Sequence, residues 1–273
     1  MKKLFAIAGA LLLSMSTYAQ NDNNVFTHFG GSIGLGTTGI TIDLSTNITD
    51  YVGVRAGIDY MPKYKYATDV SITGLNEKQG QYNAIRNANP QLNLPAVTFP
   101  NKVDIEGKLN NTTGHLLFDF YPGKKIDWHL TLGAYFGPSE VLSVYTTNDN
   151  QLLGVYQYNN SAARTMAGFP KIGVELGDYF LEPDANGHID ACMKVNSFRP
   201  YVGLGWGRGV PKNHTLGFSV DLGVQFWGKP EVYLQGDKME KGNFDKEDGG
   251  IVKDLIDISI YPTLTFRLTG KFF

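Results

Sequence analysis

Cysteine is all but missing from this chain. Cys192 is alone in 273 residues, so no internal disulfide can staple the fold, and no cysteine follows the N-terminal apolar run where a lipoprotein anchor would need one. Long hydrophobic runs are missing too. The longest, LFAIAGALLL at 4–13, has ten residues, against the roughly 20 that a membrane-spanning helix requires. Neither sign of charge dominates: 24 basic residues face 26 acidic ones, which excludes the basic footprint of a nucleic-acid binder. The histidines His28, His115, His129, His188 and His214 lack the close spacing of a zinc site, and no signature singles out a serine-histidine-acid group. Gly34–Gly39 spells GxGxxG but runs into the strand pattern ITIDLS, so the helix N-terminus that would hold a phosphate is absent. No enzymatic activity, metal or cofactor is expected.

What is present begins with an export signal. Lys2 and Lys3, the short apolar run, and SMSTYAQ with Thr17 and Ala19 before the cut have the order of a cleaved signal peptide. Residues 1–19 are read as that signal and 20–273 as one domain. Aromatics at 12% and 32 glycines are high for a soluble domain and suit a barrel with aromatic belts and a crowded interior.

Strict period-two alternation recurs along the chain. Val52, Val54, Ala56, Ile58 and Tyr60 share one face, with Gly53, Arg55, Gly57 and Asp59 on the other. The same holds for Ile40–Ser45, Trp128–Phe136, Pro200–Trp206, Leu216–Phe226 and Ile258–Phe272. A segment near Val103–Tyr121 alternates in two pieces whose phases disagree at Asn110–Gly114, read as one strand with a bulge. Every charge in these segments, including Asp43, Asp104, Glu106, Lys108 and Asp119, falls on the glycine face. A lipid-facing surface demands this, because a charge at the bilayer midplane costs about 2–4 kcal/mol. Glycines sharing the polar face suit the narrow lumen of a small barrel.

The connections alternate as outer-membrane barrels require, with short periplasmic turns and long outer loops. Those at Asn47–Asp50, Pro122–Asp127 and Gly209–Asn213 are short. Those at Pro62–Lys102, Thr147–His188 and Asp237–Lys253 are long, and only Thr37–Gly39 is short where a loop had room to be long. In the third connection, Pro90, Pro95 and Pro100 argue against a regular strand, so that asparagine-rich stretch reads as an exposed loop. The expected fold is all-β: an eight-stranded antiparallel up-and-down transmembrane β-barrel with long outer loops. Phe26, Tyr51, Phe120, Tyr121, Trp128, Trp206, Phe218 and Phe272 fall at the periplasmic strand ends, where amphipathic rings make an interfacial girdle.

Charges inside the barrel are expected to form one paired layer. Asp43 and Arg55 are equidistant from Thr49, Arg199 and Asp221 from Val210, and Arg267 lies at the height of Asp221. The layer is read as structural pairing or as a selectivity ring.

Three stretches carry a family resemblance: GLGTTGITIDLSTNITDYVGVRAG at 34–57, RPYVGLGWG at 199–207 and GFSVDLGVQFWGKPEVYL at 217–234. Tyr261, Pro262 and the terminal Phe272 and Phe273 fit as well. In this order they resemble the small outer-membrane proteins related to CarO, the carbapenem-associated porin family. That resemblance implies an eight-stranded barrel admitting small solutes, basic amino acids among them. The end of the chain departs from the usual assembly signal, since Phe272 rather than Phe273 keeps the apolar phase. The sequence thus points to the Gram-negative outer membrane, with membrane lipid and the barrel-assembly machinery as partners. The expected function is a narrow small-solute channel, and the alternative is a surface anchor presenting the loops near 63–101 and 147–188 over a plugged lumen.

Overall fold

The computed structural model describes residues 28–62, 65–71, 75–100, 102–176, 179–212, 214–240 and 259–272. The proposed signal segment, Phe26 and Phe273 lie outside these. Eight strands close into a barrel: β1 (Phe29–Gly36), β2 (Gly39–Asn47), β3 (Val52–Tyr60), β6 (Thr113–Phe120), β7 (Trp128–Phe136), β12 (Phe198–Trp206), β13 (Leu216–Phe226) and β16 (Ile260–Lys271). Each pairs antiparallel with its neighbour in chain order, and β1 closes on β16 with Gly30 opposite Lys271 and Gly36 opposite Thr265. Closure pairs both edges of the sheet, so the barrel leaves no free backbone edge to face lipid.

Period two sorts the side chains as the sequence requires. Ile33, Leu35, Ile42, Leu204, Leu216 and Leu222 stand exposed on the outside, while Thr41, Asp43, Arg55, Asp59, Thr131 and Asp221 are buried inside. Water would penalise that outer surface; hydrocarbon is its natural solvent. Its height fits as well. Trp206 pairs with Trp128 at one end of the β7–β12 ladder and Phe198 with Phe136 at the other. Eight residues at a rise of about 3.3 Å, tilted by about 40°, span roughly 20 Å, close to the apolar band of an outer-membrane barrel.

The wall does not stop at the band. Beyond bends at 110–112, 137–139, 195–197 and 227–230, four strands stand above β6, β7, β12 and β13 in the same lateral order: β5 (Lys102–Leu109), β8 (Glu140–Thr146), β11 (Asp190–Lys194) and β14 (Glu231–Leu234). Flanked by β4 (Lys65–Ser71) and β15 (Asp237–Lys238), they form a six-stranded sheet. Ladder bonds persist through the bends, from Asn110 N to Val141 O at 3.0 Å and from Val195 N to Ser139 O at 2.8 Å. The expected bulged strand at Val103–Tyr121 is therefore two strands, one in each sheet. Asp104, Glu106 and Lys108 belong to the outer sheet and not to the lumen.

The long connections are folded. Helices α1 (Leu75–Ala88), α2 (Leu153–Asn159) and α3 (Ala162–Ala167), with the short hairpin β9 (Val174–Leu176) and β10 (Tyr179–Leu181), accompany the outer sheet. They bury Tyr82, Leu94, Phe99, Val103, Leu152, Tyr158 and Leu181 in one apolar core. Tyr158 centres it, with the rings of Tyr82 and Phe99 edge-on at 5.7 and 5.5 Å. The asparagine-rich stretch contributes the end of α1, a 3₁₀ turn at Pro90–Leu92, and an extended run that inserts Val97 and Phe99. The prolines do exclude a strand there, but alternating apolar residues still find a core.

Candidate functional site

Inside the barrel the polar residues meet in one lattice. Asp119 pairs with Arg55 Nε at 2.7 Å, and Asp221 with Arg55 Nη2 at 2.8 Å. Arg267 Nε lies 2.8 Å from Asp43, and its Nη1 pairs with Asp221. His115 sits between Asp59, at 2.6 Å from Nδ1, and Asp43, at 2.9 Å from Nε2. His129 Nε2 lies 3.0 Å from Asp221. Hydroxyls complete the carboxylate shells: Ser32 and Thr41 each donate to Asp43 at 2.9 Å, Thr38 to Asp59 at 2.9 Å, and Thr131 to Asp119 at 2.7 Å. Paired guanidiniums and fully bonded carboxylates are what make burial of charge tolerable.

A charged layer therefore exists, with partners other than those expected from turn symmetry. Strand β2 pairs with β3 so that Asp43 faces Gly57 and Ser45 faces Arg55, two residues off the assumed register. Asp43 thus pairs with Arg267 and His115, and Arg55 reaches across to β6 and β13. Arg199 is not in the layer. Strands β12 and β13 place Asp221 opposite Gly205, which leaves Arg199 six residues higher, at the end with the long connections. The assumed symmetry fails because the turn after Trp206 doubles back before β13 begins.

At that height Arg199 is fully buried and gathers the bends. It donates to Asn111 Oδ1 at 2.7 Å, Pro138 O at 2.6 Å and Asn196 O at 2.8 Å, and its guanidinium lies 5.1 Å from the Trp227 ring. The bends at 110–112, 137–139, 195–197 and 227–230 are all tied to this side chain. Val141, Val195 and Trp227 pack into a small apolar cluster at the same junction.

Four of the inward glycines leave no space. A Cβ on Gly57 would collide with Asp43 Oδ1, one on Gly205 with His129 Nε2, and one on Gly203 or Gly223 with the Tyr201 hydroxyl. Each glycine is the bed on which a neighbour's long side chain lies. Leu117, Tyr135 and Tyr201 form a further buried cluster, with the Tyr135 and Tyr201 rings edge-on at 5.3 Å.

The floor is closed by the turn after β12. Gly207, at φ +102°, takes a left-handed conformation that directs the chain back under the lumen. Val210 is 1% exposed there, and a Cβ on Gly209 would stand 3.3 Å from Arg55 Cγ. Arg208 fixes the turn by donating to Gly123 O, Lys124 O and Ile126 O at 3.2, 3.1 and 2.8 Å, with its guanidinium 4.1 Å from the Tyr121 ring. Outside, Asp50 joins Lys124 at 2.8 Å and Lys212 at 3.4 Å, and these two ammonium groups hold its carboxyl below the usual range.

Of the expected girdle, Tyr51, Phe120, Trp128, Trp206, Phe218 and Phe272 are exposed on the outside. Tyr121 is not. It follows Phe120, so period two turns it inward beneath Arg208, where it is buried. A second belt at the opposite strand ends, Tyr60, Phe136, Phe198 and Phe226, is legible in the same alternation but was not picked out from the sequence.

Asp119, His129 and Asp221 bring one ligand atom each within 4.8 Å of one another, the spacing of a metal pocket. Arg55 already bridges both carboxylates, so the guanidinium supplies the cation there. Asp59, His115 and His129 complete the lattice. Alternation places Asp59 on the lumen face, the histidines carry no recognisable site spacing, and only the sheet register brings the three together.

Fold and site together define a closed eight-stranded membrane barrel with a polar lumen. The chain is similar to CarO of Acinetobacter baumannii, at 16% identity and a TM-score of 0.44, over 89% of this chain and 97% of that one. It is likewise similar to CarO2 of the same organism, at 15% and 0.44, over 92% and 100%. Ail, the attachment invasion locus protein of Yersinia pestis, solved with the heparin analogue sucrose octasulfate, is similar at 9% and 0.26, over 89% and 93%. No protein-family model and no curated protein matches the sequence.

Proposed function

We propose that this protein is a surface anchor, a barrel with a sealed lumen that carries the folded outer sheet and its helices out of the membrane. One observation carries the reading: the cross-section is filled by side chains closed to solvent, with Arg55, Asp119, Asp221 and Arg267 at 2% exposure or less. A conduit needs a wetted path past its polar groups, and eight strands enclose room for little beyond side chains. The lattice, the glycine beds and the Val210 turn oppose the channel reading together. The barrel resides in the cell outer membrane on this reading, delivered by the barrel-assembly machinery after residues 1–19 are removed. The surface that binds a partner is then the outer one, built on α1 to α3 and the outer sheet. Planar-bilayer recording of the purified protein tests the seal. No single-channel current and liposome swelling equal to protein-free controls are expected; steady conductance would restore the channel.

A further inference from the structure

We infer that the lumen lattice is a charge-paired lock in which His115 serves as an imidazolium cation, so that the closed barrel depends on its proton. The charge count leads there first. The lattice holds four carboxylates, Asp43, Asp59, Asp119 and Asp221, against two guanidiniums, Arg55 and Arg267. The carboxylates outnumber the guanidiniums, and the His115 ring lies between two of them, 2.6 Å from Asp59 and 2.9 Å from Asp43. Of the other buried guanidiniums, Arg199 is bound to an amide and two main-chain oxygens at the mouth and Arg208 to Asp127 and the turn carbonyls at the floor. Neither touches the lattice.

Geometry gives the same answer independently. A neutral imidazole has one donor and one bare lone pair; only imidazolium donates from both nitrogens. His115 Nδ1 hydrogen-bonds Asp59 at 2.6 Å, and Nε2 lies 2.9 Å from Asp43 in an ion-pair contact rather than an aligned hydrogen bond. His129 points Nε2 at Asp221, with Asp119 at 3.7 Å, and Nδ1 at the Asp127 carbonyl at 3.4 Å. All of these neighbours are acceptors. The groups facing the two rings are those carboxylates, with Arg267 and Arg55 behind them on β16 and β3, the Tyr135 ring 5.1 Å from His115, and the Tyr121 ring 5.1 Å from His129. Among the described residues no other donor is placed to replace the missing proton. Loss of a His115 proton sets a lone pair against a carboxylate and removes a positive charge from the lattice where water cannot screen it.

The test is a charge-balance rescue on the full-length barrel refolded in lipid. His115→Gln is expected to lower the thermal midpoint of heat-modifiable migration. His115→Gln with Asp59→Asn, which removes one charge of each sign, is expected to recover at least half of that loss. In the unaltered barrel the midpoint is expected to fall as the pH is raised from neutral to about 10, where free imidazole is fully neutral. A double variant no more stable than the single one, or a midpoint flat across that range, overturns the proposal. Where His115→Gln fails to fold, ¹⁵N spectra of the unaltered barrel at neutral pH decide: a doubly protonated His115 ring supports the lock, and a neutral tautomer overturns it. Each readout differs from conductance, so a sealed barrel without the lock, or a lock in a leaky one, is recognised as such.

Discussion

Gly57 and Gly205 show how a residue with no side chain can be as specific as an arginine. Each lies where a neighbour's charged group crosses the wall, and a methyl at either would strike Asp43 Oδ1 or His129 Nε2. Gly205→Ala is therefore expected to destabilise the barrel by about 1–3 kcal/mol, the usual range for overpacking. Gly53→Ala is the control, because its Cβ would meet nothing nearer than 3.5 Å, and a change within about 0.5 kcal/mol is expected. Urea unfolding in lipid vesicles measures both, and equal effects would mean that the lattice yields to the methyl. The composition showed that glycines share a face with charges. Along one strand such a glycine cannot be told from spare room, since the side chain that fills each gap belongs to another strand.

At the scale of elements, alternation and connection length located the barrel strands, because a lipid-facing wall leaves no freedom in which face carries charge. Register was less legible. It depends on turn geometry, and the turn after Trp206 folds into the lumen instead of closing directly, which moved Arg199 out of the layer and brought Gly205 level with Asp221. The outer sheet was illegible for a related reason: its strands continue barrel strands past short bends, so each long connection hides its strands next to the wall. The short turns hold each other through Asp50, Lys124 and Lys212. Asp50 has its folded-state affinity for protons lowered by the two lysines, so its contribution is present above the ordinary carboxylate range and is lost as pH falls through the lowered folded-state value. Protection of the amides of residues 48–51 and 123–126 against exchange, relative to the intrinsic rate at each pH, is expected to fall below about pH 4, and Asp50→Asn to remove that acid sensitivity at a modest cost, as for other exposed pairs. Unchanged exchange in the variant and the parent would show that the clasp is idle.

The whole molecule joins two bodies of opposite construction. The barrel is polar within and apolar without, stabilised by lipid and by closure of its ladder. The outer sheet and its helices have an aqueous exterior and an apolar core around Tyr158. Arg199 touches four of the bends that join them, through Asn111, Pro138, Asn196 and Trp227. Removing that side chain strands one amide and two main-chain acceptors at a buried junction, each at a cost of about 1–3 kcal/mol, without disturbing any lattice pair. Arg199→Ala is therefore expected to loosen the outer body selectively. Tryptic cleavage near 148–170 should occur at lower urea than in the parent, while the heat-modifiable barrel band persists to the parent's midpoint. Arg199→Lys should recover little, because a single ammonium cannot reproduce the planar fork that reaches three acceptors in different directions. Loss of both bodies at one urea concentration would instead mean that they fold as a single cooperative unit, with Arg199 part of the barrel's own stability.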